Sequence, residues 1–272
     1  MNGDIFRELN KRTMEYNMIL AVMDFDALIV SKESKVQSVK AFNFDLNARK
    51  INELSLFEEF LLKYKRGNYQ EITEILLEAG AKFHKRELAY KSTAEKVLES
   101  FTEDSNINNV KFVLESTVGS CDSMNIFVLL FTNFNTNLEL VKMVVDIYGI
   151  EQNLKYGWTV LMLAITGKSV TPDIIQYLID IGSHINAQDD EGRTPLHHLT
   201  TYALKHSLDI MRLLIKQGAD VNLQDKRGNT PLMHMFESQM YPHSNILEYT
   251  KLLIGANVKV NVKNKMDKTV LE

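Results

Sequence analysis

A short block returns four times in the second half of the chain: glycine or aspartate, one variable residue, threonine, and then apolar residues. The copies are Gly157-Trp158-Thr159-Val160-Leu161, Gly192-Arg193-Thr194-Pro195-Leu196, Gly228-Asn229-Thr230-Pro231-Leu232 and Asp267-Lys268-Thr269-Val270-Leu271, with threonines 35, 36 and 39 residues apart. A period of that length is one supersecondary unit, too small to bury its own apolar faces. Copies must therefore stack on one another, and a chain with this period is constrained to a repeat architecture.

The interior of each period reads as two helices. Thr194 and Thr230 can cap a helix, and Pro195 and Pro231 fall in its first turn, where a missing amide hydrogen costs nothing. Leu196 and Leu199, with Ile210, Leu213 and Leu214 on the returning segment, supply apolar faces at near one-turn spacing. The second segments align without a gap: Ile174 to Asn186, Ile210 to Asn222 and Tyr249 to Asn261. Gly182 and Gly218 mark where the second helix ends in a left-handed residue, and Asn257 takes that place in the last copy, which asparagine tolerates best after glycine. Extra length falls between the helices, at Thr200 to Ser207 and Glu237 to Asn245.

Thr194-Pro195-Leu196-His197 resembles the signature of ankyrin repeats, whose basic period is about 33 residues. Met162 and Met233 stand where the signature has histidine. The resemblance implies an all-α ankyrin-repeat solenoid of stacked helix-turn-helix units with projecting turns. It extends upstream more loosely. Ile72 to His84 is a nearly complete second-helix block, with Ser55 near the threonine position, and Asn109 to Glu115 and Leu138 to Asp146 mark two further second helices. Asp45 to Arg49 looks like an earlier exit loop, with Asn43 at its left-handed position. About seven repeats and the start of an eighth result: residues 1–50 as a divergent repeat or helical cap, 51–156 as divergent repeats, 157–266 as well-specified repeats, and 267–272 as the opening of another. The expected role of His197 is structural, donating to a carbonyl of a neighbouring loop.

Composition excludes several classes of function. Hydrophobic residues make up 45% and charged residues 24% of 272, the mixture of a folded chain. A formal charge of -4 argues against a general nucleic-acid-binding surface. A single cysteine, Cys121, allows no internal disulfide and fits a reducing, cytoplasmic or otherwise intracellular setting. No stretch approaches the length of a membrane span; Ile19 to Val22 and Ile126 to Phe131 are short. No phosphate loop, nucleophile elbow or Cys-x-x-Cys pair is present. Adjacent His197 and His198, with Asp190 nearby and His234 one position beyond the signature slot of the next repeat, do not form a defined ligand set. No catalytic residue, cofactor or metal is therefore expected, and of the histidines one is expected to be packed and the others to lie at the surface.

The partner that remains is protein. In the resembled family partners meet the projecting turns and the first helices, which here places Tyr156, Trp158, Asp189, Asp190, Glu191, Arg193, Lys226, Arg227 and Asn229 on the candidate surface. Trp158 is the single tryptophan, and an aromatic on a projecting loop is a common interface anchor. Its alternative role is local packing over the preceding repeat. Asp189 to Glu191 read as solvated loop carboxylates or as contacts to a basic partner. Along the stack the turns pass from aromatic to acidic to basic, which favours a shaped protein over a uniform polyanion. The inserted segments Tyr202 to Ser207 and Gln239 to Asn245 offer a second surface. Met266 to Leu271 opens a repeat that does not continue, so the sequence is expected to be the binding portion of a longer adaptor; its final Leu-Glu also fits a cloning remnant. In style the divergent early repeats and abundant Asn and Lys look similar to ankyrin proteins of large DNA viruses and intracellular bacteria, which would imply a host-directed role. The alternatives are a stoichiometric inhibitor and an enzyme whose catalytic part lies elsewhere.

Overall fold

The computed structural model describes residues 32–41, 46–47, 55, 57–58, 69–83, 92–99, 107–119, 123–132, 136–150, 154–168, 170–201, 206–237 and 243–272. Asn43, Asp45 and Cys121 lie outside these, as do residues 202–205 and 239–242 of the two inserted segments. Every regular element among the described residues is helical. The chain divides into two compact units, Met1–Asp122 and Ser123–Glu272.

Among the described residues of the second unit, eight α-helices follow in pairs. They are, in our numbering, α5 (Ser123–Thr132), α6 (Leu138–Tyr148), α7 (Val160–Ile165), α8 (Pro172–Asp180), α9 (Pro195–Thr201), α10 (Ser207–Lys216), α11 (Pro231–Glu237) and α12 (His243–Gly255). The odd-numbered helices stack in one layer, α5 on α7 on α9 on α11, and the even-numbered helices in another, α6 on α8 on α10 on α12. Three of the pairs also pack internally across the layers: α5 on α6, α7 on α8 and α9 on α10. A helix in the first layer is thus covered from several sides, and all six residues of α7 and every residue of α9 from Pro195 to Thr200 are buried. Burying one leucine or isoleucine contributes about 1.5 to 3 kcal/mol, so the buried apolar residues of these short helices, such as Leu161, Ile165, Leu196 and Leu199, do much to hold the stack together.

The repeat signals act as their chemistry requires. The hydroxyl oxygens of Thr159, Thr194 and Thr230 accept from the amides three residues on, at 3.2, 3.4 and 3.4 Å. Gly182 (φ 104°), Gly218 (φ 91°) and Asn257 (φ 62°) all close their helices in positive-φ conformations, so asparagine does replace glycine in the last copy. At the other end of the period, Asn186 reaches the next repeat with both ends of its amide. Its Nδ2 donates to the Gly218 carbonyl (3.0 Å) and its Oδ1 accepts from Asp220 N–H (2.8 Å). Asn222 does the same to Asn257 and Lys259.

In the first unit the described α-helices are α1 (Lys32–Ala41), α2 (Tyr69–Glu78), α3 (Thr93–Glu99) and α4 (Ile107–Ser116), with α1 packed on α2, α2 on α4 and α3 on α4. Two features carry the same repeat logic. Asn47 Nδ2 donates to the Gly80 carbonyl (2.8 Å) and its Oδ1 accepts from Lys82 N–H (2.8 Å), the bridge that Asn186 makes 139 positions later. Ser55, at the threonine position, forms a reciprocal capping box with Glu58: Ser55 N–H donates to Glu58 Oε2 (2.8 Å) and Glu58 N–H to Ser55 Oγ (3.2 Å). Ser92 and Glu95 repeat that box.

Candidate functional site

The projecting turns of the second unit are built on one polar plan. Asp189, Asp225 and Asn264 occupy equivalent positions. Each folds its side-chain oxygen back onto its own turn: Asp189 Oδ1 accepts from Glu191 and Arg193 amides (2.9 and 2.8 Å), Asp225 Oδ1 from Arg227 and Asn229 amides (both 2.8 Å), and Asn264 Oδ1 from Met266 and Lys268 amides (2.9 and 3.1 Å). Short polar side chains do this readily because they mimic a backbone carbonyl. Successive turns are then tied together through main chain. Asp190 N–H donates to the Tyr156 carbonyl (2.9 Å), Lys226 N–H to Glu191 (2.8 Å) and Lys265 N–H to Arg227 (2.9 Å).

That approach explains the glycines of the Gly-x-Thr block. Gly157, Gly192 and Gly228 have φ of 69°, 76° and 81°, and a Cβ on any of them would lie 2.8 to 2.9 Å from the backbone of the following turn. Gly218, by contrast, has nothing within 4 Å of its would-be Cβ and serves conformation alone.

Behind the turns lies a buried row of rings. His197 Nδ1 accepts from Thr194 N–H (3.1 Å), so that nitrogen is unprotonated; the proton sits on Nε2, which donates to the Asn229 carbonyl (3.1 Å). The expected loop-carbonyl bond is therefore present. His198, expected at the surface, is 2% exposed and donates from Nε2 to Asp189 Oδ2 (2.9 Å), an arrangement His234 repeats with Asp225 Oδ2 (2.9 Å). The rings of His197 and His234 meet edge to face at 5.3 Å. Burial pushes both His197 and His198 down to about 4; the Asn229 carbonyl and the Asp189 carboxylate, respectively, pull the other way without winning. Both are neutral imidazoles at neutral pH, and His198 with Asp189 is a hydrogen bond, not an ion pair. Burial alone would raise Asp189, but the amide bonds from Arg193 and Glu191 and the charge of Arg193, whose Nε lies 3.1 Å from Oδ2, hold it below the usual carboxylate range.

These contacts redistribute the candidate surface residues. Tyr156 is 70% exposed, and Asp190, Glu191, Lys226 and Arg227 are exposed. Asp189 is a correction: it is 5% exposed, because its four acceptor contacts organise the turn and seat His198, so its side chain is not a solvated loop charge. Asn229 is likewise buried, with its Oδ1 accepting from Asn264 Nδ2 (2.9 Å). Arg193 is half-buried against Asp189. Trp158 is half-buried, and its ring lies 4.3 Å from that of His198 in the following repeat. Because α7 and nearly all of α9 are buried, the exposed side chains of this stretch named above lie on the turn tips. What sequence reasoning missed was the Asp-His relationship, although its signal was there: Asp189 and His198 are nine residues apart, as are Asp225 and His234.

Among the described residues no group of three His, Cys, Asp or Glu side chains could hold a metal ion, and no helix is long and apolar enough to cross a membrane. Residues 128–225 match a protein family described as "Ankyrin repeats (3 copies)". Over that span the chain is made of ankyrin repeats, an all-α fold that generally mediates protein–protein interaction. Asn222, near the end of that span, makes its asparagine bridge to Asn257 and Lys259 beyond it, and Asn47 makes the same bridge upstream of it. No curated protein matches the chain, so the likeness to viral and bacterial ankyrin proteins gains no support.

Proposed function

We propose that this chain is a non-catalytic protein-binding module and that its partner docks on the turn tips from Tyr156 to Arg227, as the binding portion of an adaptor. The observation that carries this reading is the division of labour within each turn. Asp189 and Asp225 spend their oxygens inward, which makes the turns rigid, while Tyr156, Asp190, Glu191, Lys226 and Arg227 stand exposed on them. Rigid elements that present exposed side chains lose little conformational freedom on binding, which favours affinity. Half-buried Trp158, packed on the His198 ring, adds an aromatic side chain to this face.

The test is a crosslinking pull-down on the full chain, followed by affinity measurement with the recovered partner. Alanine at Trp158, Asp190, Glu191 and Arg227 should weaken the complex while the helical circular dichroism spectrum is kept. Unchanged affinity in all four variants contradicts the placement. Recovery of two proteins bound at once marks an adaptor; loss of activity in a single bound protein marks an inhibitor.

A further inference from the structure

Three main-chain bonds, Asp190 to Tyr156, Lys226 to Glu191 and Lys265 to Arg227, fix the order in which the turn tips follow one another. They also consume tip amides and carbonyls that a partner strand would otherwise pair with, so recognition at these positions falls to side chains. The order of side chains is an exposed aromatic at Tyr156, an acidic pair at Asp190 and Glu191, a basic pair at Lys226 and Arg227, and a further base at Lys265. None of these five charged side chains forms an ion pair with a described residue. Lys263 and Asp267, on the same turn as Lys265, neutralise each other at 3.0 Å. Across these five side chains the sign of the charge changes once along the row.

We infer that the row recognises a polypeptide segment of complementary polarity, acidic where it meets Lys226, Arg227 and Lys265, basic where it meets Asp190 and Glu191, with an apolar side chain on Tyr156. This rests on the reading of the turn tips as a protein-binding face. Complementary charge fixes the register of such a segment and speeds its encounter, and like-charge placement excludes the reversed one. A nucleic-acid strand fits less well, because its phosphates would meet Asp190 and Glu191 as well as the bases.

The test uses a randomised displayed peptide library selected on the full chain, with the enriched peptides resynthesised and titrated by fluorescence anisotropy. Enriched peptides should carry acidic residues on one side of a basic residue. Their affinity should fall about tenfold or more in Lys226→Glu/Arg227→Glu, weaken with rising salt, and recover when the peptide's acids are replaced by lysine. Asp190→Lys/Glu191→Lys should select against the peptide's basic residue in the same way. Enriched peptides of other composition that still lose binding in these variants overturn the polarity while sparing the face. Peptides indifferent to every turn variant, or no enriched peptide at all, overturn both. Tight binding of an oligouridine probe that Lys226→Glu/Arg227→Glu abolishes also overturns the inference, in favour of nucleic acid.

Discussion

His197 Nε2 lies 3.1 Å from the main-chain oxygen of Asn229, 32 residues further along, so one imidazole joins two consecutive repeats while its other nitrogen holds the start of its own helix. In the first unit Glu58 fills the same position with a carboxylate. One oxygen accepts from Ser55 N–H, and the other from Thr93 Oγ1, 35 residues on (2.9 Å). At this position both side chains accept a bond from the start of their own helix and make a second polar contact to the next repeat, His197 as donor and Glu58 as acceptor.

Replacing His197 by alanine should cost about 2 to 4 kcal/mol, because it opens a cavity and strands a buried carbonyl. His197→Met should cost less, since Met162 and Met233 fill the equivalent positions. Chemical denaturation of the two variants against wild type measures both; equal losses would show that the slot is not interchangeable.

Asp189 and Asp190 are neighbours with opposite fates. Asp189→Ala removes the acceptor of four contacts and should destabilise by about 3 kcal/mol or more, whereas Asp190→Ala, exposed, should stay within about 0.5 kcal/mol of wild type. Melting temperatures of the two variants decide the matter, and a similar loss in both contradicts the inward role of Asp189.

The same contrast holds between two glycines. Gly218→Ala should cost about 1 kcal/mol through backbone strain alone. Gly192→Ala adds a clash with Lys226 N at 2.9 Å and should cost clearly more, loosening the bond between two turns. Hydrogen exchange at the Lys226 amide should accelerate in Gly192→Ala and not in Gly218→Ala.

Stability should also fall on acidification. His197 and His198 titrate near 4 when folded and near 6.5 when unfolded, so the unfolded chain binds more protons between those values. Their stabilisation is complete above about pH 6.5 and is lost as pH drops toward 4, each histidine contributing on the order of 3 kcal/mol. Urea midpoints at about pH 7.5 and about pH 5 should differ, and His197→Met should shrink the difference. Midpoints independent of pH would contradict the buried, neutral assignment.

Much of this was written locally in the chain. The Gly-x-Thr block, the threonine caps and the left-handed Asn257 are nearest-neighbour chemistry, and each folds as its residues dictate. The turn carboxylates were not legible in the same way. Asp189, Asp190 and Glu191 have similar solvation preferences as isolated residues, and the turn geometry alone sends the first inward and leaves the other two exposed. Nor does composition reveal that His198 is buried: its partner is nine residues back, across a turn and a helix start, a spacing that no helix or strand period picks out. The glycines illustrate a third case, where the residue is visible but its reason, the next turn's backbone, lies about one repeat away.

The most direct test of the turn face as the binding surface is photocrosslinking with the purified partner recovered by pull-down. A photoreactive amino acid would be placed at Tyr156, at Lys226, or at Lys216, which is exposed on α10 in the other layer. Saturable adducts at Tyr156 and Lys226 with none at Lys216 are the predicted result. Adducts confined to Lys216 would contradict the account.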